Sequence, residues 1–195
     1  MMNNKYDAFI KCCFGNDIQK MKEELSTLGD VELSNILIHP ESKATPLHIA
    51  CQDNKLDFVE LLLKHGAQVN APTIDGTTPL MIACKNGYLD LVNMLLKQKE
   101  ISVGQRDNNG NTSLSIAAQE NHDDIVFVLM DAGSNISHCQ NHVGEMAIQS
   151  KIVPYHIYQM EKAEQKSNER LISLFQDVLT TAKENNESLK NLVRR

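Results

Sequence analysis

The sequence predicts an all-α solenoid, in which stacked helix–turn–helix units are joined by short loops. A four-residue segment that begins at Thr45 recurs at Thr78, 33 residues later, and in a looser form at Thr112, after a further 34 residues. Small and apolar residues recur in phase behind each copy, so the similarity extends over whole units. Repetition at this period indicates stacked units, none of which can bury its apolar face alone. Residues 43–143 are therefore expected to form three regular repeats.

The first regular repeat shows where its two helices begin and end. Thr45 is a suitable N-cap, and Pro46 suits the first helical position because its missing N–H would have no partner there. The first helix is expected to span residues 46–54. Apolar residues at helical spacing predict a second helix over residues 56–65, and Gly66 ends it by adopting the left-handed conformation.

The two ends of the chain are less regular than its centre. We expect residues 1–42 to form a degenerate N-terminal capping repeat, and residues 144–183 a degenerate fifth repeat with a helical C-terminal cap. Pro154 is expected to interrupt the first helix of that repeat, because proline removes a hydrogen bond and clashes with the preceding turn. Residues 184–195 are expected to form a polar tail that frays. An amphipathic stripe, expected to pack on the last repeat, comprises Leu171, Leu174, Phe175, Val178 and Ala182.

These features resemble the ankyrin-repeat family. The resemblance rests on the period of 33, the Thr-Pro-Leu-His segment at 45–48, the Gly-Ala pair at 66–67 and the Val-Asn pair at 69–70. It implies a protein that binds partner proteins through a concave face, made of loop tips and the exposed side of the first helices. It also implies that His48 ties adjacent loops by hydrogen bonds. Asn70 resembles asparagines that are hydroxylated in this family, and the alternative is that its side chain simply holds the loop.

Carried over position by position, the resemblance implies fourteen partner-binding residues. Their side chains can vary without harm to the core, so they can encode the choice of partner. Ile74 is the one apolar residue among the loop tips and is a candidate anchor for a pocket on the partner. Taken one at a time, each is more simply a solvated surface residue. The residues are Gln52, Asp53, Ile74, Asp75, Thr77, Lys85, Asn86, Asn108, Asn109, Asn111, Gln119, Glu120, His142 and Glu145.

The charge pattern adds a hypothesis about steering. Residues 110–143 carry four acidic residues and no Lys or Arg, whereas residues 76–109 are slightly basic. A partner with a basic patch would be steered toward the acidic repeat. The alternative is that this charge serves solubility.

The sequence does not indicate catalytic or metal-binding chemistry. Three of the five cysteines, Cys12, Cys51 and Cys84, fall in one column of the repeat, where a small thiol packs between helices. The cluster at 138–142 holds two histidines and a cysteine, but zinc usually takes four ligands from two separated pairs. Phosphate-cradling, serine-hydrolase and zinc-protease motifs are missing. We therefore expect no enzyme activity, no cofactor and no metal.

Composition and charge narrow the class of partner. A net charge of −6 argues against broad capture of nucleic acid. The longest apolar run, residues 125–130, is far shorter than the ~20 residues of a membrane-spanning helix. The odd number of cysteines and their scattered spacing favour a reducing, cytoplasmic setting. We expect a monomeric scaffold or adaptor that binds another protein. The alternative is a bacterial or viral effector that acts on a host protein in the host cytoplasm, which the abundance of Asn, Lys and Ile permits.

Overall fold

The computed structural model describes residues 7–15, 17–28, 41–135 and 138–193. Within these residues the chain is helical apart from its loops and one isolated antiparallel bridge, between Arg106 and Thr112. The chain divides into two compact bodies, Met1–Lys151 and Ile152–Arg195, which are described separately. The helices of the described residues are α1 Asp7–Phe14, α2 Ile18–Leu28, α3 Pro46–Gln52, α4 Leu56–Lys64, α5 Pro79–Lys85, α6 Leu89–Leu96, α7 Ser113–Gln119, α8 Asp123–Asp131 and α9 His142–Val193.

The helices of the first body pack in pairs, and the pairs stack. Helix α1 packs against α2, α3 against α4, α5 against α6, and α7 against α8. The first helices of successive pairs, α1, α3, α5 and α7, also pack on one another, as do α2 on α4 and α6 on α8. The predicted all-α solenoid of stacked helix–turn–helix repeats is therefore confirmed.

A threonine begins the first helix of each regular repeat, as predicted. The hydroxyl oxygens of Thr78 and Thr112 accept hydrogen bonds from the backbone N–H three residues later, at 3.3 and 3.2 Å. At Thr45 the imidazole of His48 takes part, because its Nδ1 accepts a bond from the backbone N–H of Thr45 at 3.1 Å. Each arrangement satisfies backbone donors that have no partner inside the helix.

The core consists of columns of equivalent residues, one from each repeat. Since every member of a column meets its counterparts in the neighbouring repeats, the stack buries one continuous apolar strip. The predicted cysteine column lies in it, with Ala118 in the third regular repeat, and its thiols act as small apolar side chains. The best-buried columns, exposed by 3% or less, are Leu47, Leu80 and Leu114; Ala50, Ala83 and Ala117; Cys51, Cys84 and Ala118; Val59, Val92 and Val126; and Leu62, Leu95 and Leu129.

A ladder of backbone hydrogen bonds joins the loop tips of successive repeats. Each tip donates an N–H to a carbonyl of the preceding tip, so the loops are held side by side. At the bend of one loop, Gly76 has φ +79°, and a Cβ there would lie 2.9 Å from the Cα of Asp107. Only glycine fits this close approach. The bonds run from Ile74 to Ser42 at 2.8 Å, from Asn108 to Asp75 at 2.9 Å and from Gln140 to Gly110 at 2.9 Å.

The N-terminal helix pair is held to the first regular repeat by Lys55. Its ammonium group donates to the carbonyl oxygens of Cys13 and Gly15, at 3.1 and 2.8 Å, and forms an ion pair with Asp53 at 2.9 Å. These carbonyls end helix α1, where a positive charge is favourable. Residues 29–40 of the predicted N-terminal capping repeat lie outside the described residues.

The C-terminal part of the chain corrects one prediction. Pro154 does not interrupt a helix, because α9 continues through it from His142 to Val193. The proline removes one intrahelical bond, and the many Glu, Lys, Gln, Met and Ala residues of this helix favour its continuation. Residues 144–183, which were expected to form a degenerate fifth repeat with a helical cap, lie within this single helix, and the helix continues through the expected polar tail as far as residue 193.

The amphipathic stripe lies on this helix, but the side chains of all five of its predicted residues lie outside the described residues. Its packing on the last repeat stays a prediction. Among the residues that the structure describes, no helix has the length and apolar character needed to cross a membrane.

Candidate binding groove

A groove of about 570 Å³ runs along the loop tips and first helices of the three regular repeats. Its walls come from the loops at 73–77 and 107–111, and its floor from helices α5 and α7. Stacking places equivalent positions side by side, so residues about 33 apart in sequence line one continuous surface. The lining residues are Ser42, Gln52, Thr73, Asp75, Thr77, Met81, Ile82, Lys85, Asp107, Asn109, Asn111, Ile116, Gln119 and Glu120.

Eight of the fourteen predicted partner-binding residues lie in this groove. They come from three repeats, and the structure brings them together as the repeat alignment implied. Whether they bind a partner stays a prediction. The eight are Gln52, Asp75, Thr77, Lys85, Asn109, Asn111, Gln119 and Glu120.

Five of these eight residues have side chains that are available to a ligand. All five are exposed, and the structure assigns their side chains no hydrogen bond or ion pair to any other described residue. They offer two amides, two carboxylates and one ammonium group, a set that can donate to and accept from a polypeptide. The five, named here the open set, are Gln52, Asp75, Lys85, Asn109 and Glu120.

Three other groove residues, Asp107, Asn111 and Gln119, use their side chains in hydrogen bonds within the groove. Asp107 accepts bonds on Oδ1 from the backbone N–H groups of Asn109 and Asn111, at 2.9 and 2.8 Å. The Nδ2 of Asn111 donates to Oδ2 of Asp107 at 2.9 Å, and its Oδ1 accepts from Asn141 at 2.8 Å. Because both polar ends of Asn111 are occupied, its role is to hold the loop. The Nε2 of Gln119 also donates to the Oδ1 of Asn111, at 3.4 Å.

Three predicted residues serve the backbone or an ion pair instead of the groove. The amide of Asn86 donates to the carbonyl of Ile82 at 2.9 Å and so caps helix α5. The amide of Asn108 donates to the carbonyl of Ile74 at 3.0 Å and reinforces the loop ladder. Asp53 is ion-paired with Lys55.

The last three predicted residues also lie outside the groove. Ile74 is a loop tip with 53% of its surface exposed. His142 and Glu145 lie on the first turn of α9, with Nδ1 and Oε2 3.9 Å apart. The structure does not bring these three side chains together with the open set.

The sequence prediction missed six groove residues, four of which form two pairs that each share a column of the repeat. Ile82 and Ile116 occupy equivalent positions 34 apart, and both are half-buried on the groove floor. Thr73 and Asp107 are another such pair. A rule that each half-buried column contributes to the surface would have found them. The other two residues are Ser42 and Met81.

The side chain of Asn70 holds a loop, as one of its two interpretations predicted. Its amide donates to the carbonyl of Glu100, and its Oδ1 accepts the N–H of Ser102 at 2.9 Å. Both bonds join the loop of the first regular repeat to the segment that follows helix α6 in the second.

The cysteines are buried, and burial sets their chemistry. Burial raises the pKa of Cys13 to about 12 and raises the pKa values of the Cys51 and Cys84 thiols further. Such thiols stay protonated near neutral pH and are poor nucleophiles. The thiol of Cys139 donates to the carbonyl of Asn141 at 3.3 Å. The described residues contain no group of three His, Cys, Asp or Glu side chains placed to hold a metal ion.

Comparison with known proteins adds one match. A family model described as ankyrin repeats (3 copies) matches residues 9–107 and, in a second match, residues 75–139. Together the two matches cover most of α1, all of α2 to α8 and the whole groove. No curated protein matches the chain.

Proposed function

Because the chain belongs to the ankyrin-repeat family, whose repeats are generally protein–protein interaction modules, we propose that it is a non-catalytic scaffold or adaptor that binds a partner protein through this groove. The observation that carries the proposal is the division of labour among the groove residues. Asp107 and Asn111 use their polar atoms to hold the loop, whereas the open set points no polar atom at a described neighbour. A rigid frame that presents unengaged polar groups loses little conformational freedom when it binds.

The composition of the groove favours a polypeptide ligand over a small molecule. Small-molecule sites are mostly apolar and enclosed. Here the exposed lining is rich in amides and charges, and it extends over three repeats. Amide and carboxylate groups suit the alternating N–H and C=O groups of a peptide backbone.

The charges of the groove support steering of a partner with basic groups. Asp75 and Glu120 are free carboxylates, and Lys85 is the one cation among the lining residues. Complementary charge mainly raises the association rate and selects among partners. The partner is therefore expected to present at least as many basic as acidic side chains to this surface.

The test is quantitative capture of partners by the full chain and by two variants with the same net charge. Each variant combines two charge reversals of opposite sign and one gained positive charge, so both differ from the natural chain by +1. A partner that is captured by the natural chain and by the control, but not by the groove variant, supports the proposal. The groove variant is Lys85→Glu, Asn109→Arg and Glu120→Lys, and the control outside the groove is Lys97→Glu, Gln68→Arg and Asp90→Lys.

Partners retained equally by both variants would refute the groove as the binding surface. Circular dichroism and thermal unfolding must first show that both variants keep the helix content of the natural chain. Since all six residues are exposed, changes there should alter stability by no more than about 0.5 kcal/mol each.

A further inference from the structure

The C-terminal half of α9 carries a seam of heptad positions over residues 168–192. Written as heptads with Leu171 at position d and Phe175 at position a, the a and d positions continue at spacings of three and four through the end of the seam. Six of these eight positions are apolar, and the backbone is helical throughout. A repeat of seven is the pattern that directs two helices to wrap around each other. The positions are Asn168, Leu171, Phe175, Val178, Ala182, Asn185, Leu189 and Leu192.

The other side of this helix is polar without exception. All eleven b, c and f positions between residues 169 and 191 carry polar or charged residues. Three of the flanking e and g positions, Ile172, Leu174 and Leu179, are also apolar and widen the apolar side, and Ile172 has 57% of its surface exposed. One side of the helix therefore needs a cover and the opposite side does not.

The second body offers no cover of its own. Its described residues, 152–193, all belong to α9, so no other described element of that body can pack on the seam. A helix gains most of its stability in water from packing of its apolar side. A partner helix would supply this packing.

The two asparagines identify which partner fits. In a parallel, in-register pair each seam position meets its own counterpart, so Asn168 meets Asn168 and Asn185 meets Asn185 of the other chain. Each amide can then hydrogen-bond its equivalent, while the six apolar positions meet apolar positions. An unrelated apolar helix would leave both amides without partners, which is unfavourable when they are buried. We propose that residues 168–192 form a parallel two-stranded coiled coil with a second copy of this chain. The proposal departs from the monomer expected from the sequence and does not depend on the binding groove.

The first test is the mass of the full chain in solution by sedimentation equilibrium. The natural chain should weigh about twice its single-chain mass of 21.9 kDa. Leu171→Glu with Val178→Glu, which charges the seam, should restore the single-chain mass. Ser173→Glu with Thr180→Glu, which adds the same charge at two f positions, should leave the dimer intact. A single-chain mass for the natural protein, or equal dissociation of both variants, would overturn the proposal.

A second set of variants keeps the proposal open to refutation if the charged seam simply unfolds the helix. Asn185→Leu should strengthen association, since it replaces a polar seam pair by an apolar one. Val178→Cys should form a disulfide between chains on mild oxidation, and Thr180→Cys should not, because only the former lies at the seam. A dimer without the Val178→Cys bond would refute the parallel register. A monomer whose repeats lose stability in the charged-seam variant would place the seam against the chain's own repeats and refute the proposal.

Discussion

The Nε2 atom of His48 lies 3.2 Å from the carbonyl oxygen of Thr77, one repeat further along the chain. The Nδ1 of the same ring accepts the backbone N–H of Thr45, so the ring carries its proton on Nε2 and donates it to Thr77. One buried imidazole therefore closes the start of its own helix and ties its repeat to the next. The role that the family resemblance implied for His48 is confirmed.

Stability should fall as the pH is lowered through about 6.5, partly because of His48. Burial lowers the pKa of His48 below its ordinary value of 6.5, and the bond to Thr77 only partly offsets this. Below pH 6.5 the unfolded chain therefore binds more protons than the folded one, so the free energy of unfolding decreases with decreasing pH. Urea unfolding of His48→Gln and the natural chain between pH 5 and 8, a range set by the ordinary histidine pKa, checks this. An identical slope in both would contradict it, since the other histidines are common to the two proteins.

Gly76→Ala should destabilise the protein more than Gly66→Ala does. Both glycines have positive φ, of +79° and +82°, where an added Cβ costs roughly 1–2 kcal/mol. At Gly66 nothing lies within 4 Å of the new atom, whereas at Gly76 the Cα of Asp107 lies 2.9 Å away. The measurement is the difference between the two free energies of unfolding. Equal losses would show that the loop at 107 moves aside without cost.

Lys55→Met should loosen the N-terminal helix pair. The substitution removes the ammonium group from the carbonyls of Cys13 and Gly15, and the loss of a charged hydrogen bond costs about 1–3 kcal/mol. Hydrogen exchange should accelerate in helices α1 and α2 before it does in α5 to α8. Lys64→Met is the matched control, because its ion pair with Glu60 is exposed and worth little. Equal rates of hydrogen exchange in helices α1 and α2 of the two variants would show that Lys55 does not cap helix α1.

Asp107→Ala should lower the stability of the protein, whereas Asp75→Ala should affect binding of a partner. Asp107 accepts three bonds from its own loop, so its loss should cost about 1–3 kcal/mol of stability. Asp75 has an unengaged carboxylate in the same groove, so its loss should change stability by less than about 0.5 kcal/mol. With a captured partner in hand, Asp75→Ala should slow association without unfolding the loop. Comparable stability losses would mean that the open set was assigned wrongly.

The thiols should react slowly in the folded protein. All five cysteines are buried, and burial raises the pKa of Cys13 to about 12, so little thiolate is present or accessible at pH 8. Labelling with a thiol reagent should follow local opening and should accelerate strongly in denaturant. Rapid labelling of a single cysteine without denaturant would reveal a site that opens easily, and mass mapping would identify it.

The repeat positions were predictable because their signals are local. Thr45, Pro46 and Gly66 mark helix ends through their own backbone preferences, and the structure begins α3 and ends α4 beside them. The period then places equivalent residues side by side, which is why eight predicted residues meet in the groove.

The division between side chains that are left unengaged and side chains that hold the loop could not be read from the sequence. Asn109 and Asn111 are the same residue type two positions apart, yet only Asn111 reaches both Asp107 and Asn141. The prediction that Pro154 interrupts a helix was wrong for a related reason. The cost of one lost backbone hydrogen bond must be compared with the stability of the whole helix.

The bonds that Asp107 makes within its own loop have an evolutionary consequence. Since the scaffold does not use the side-chain polar groups of Lys85, Asn109 or Glu120, mutations there are expected to leave the fold intact while they change the chemistry of the exposed surface. Under the proposed function, new specificities can then arise by single substitutions, each of which leaves a stable protein.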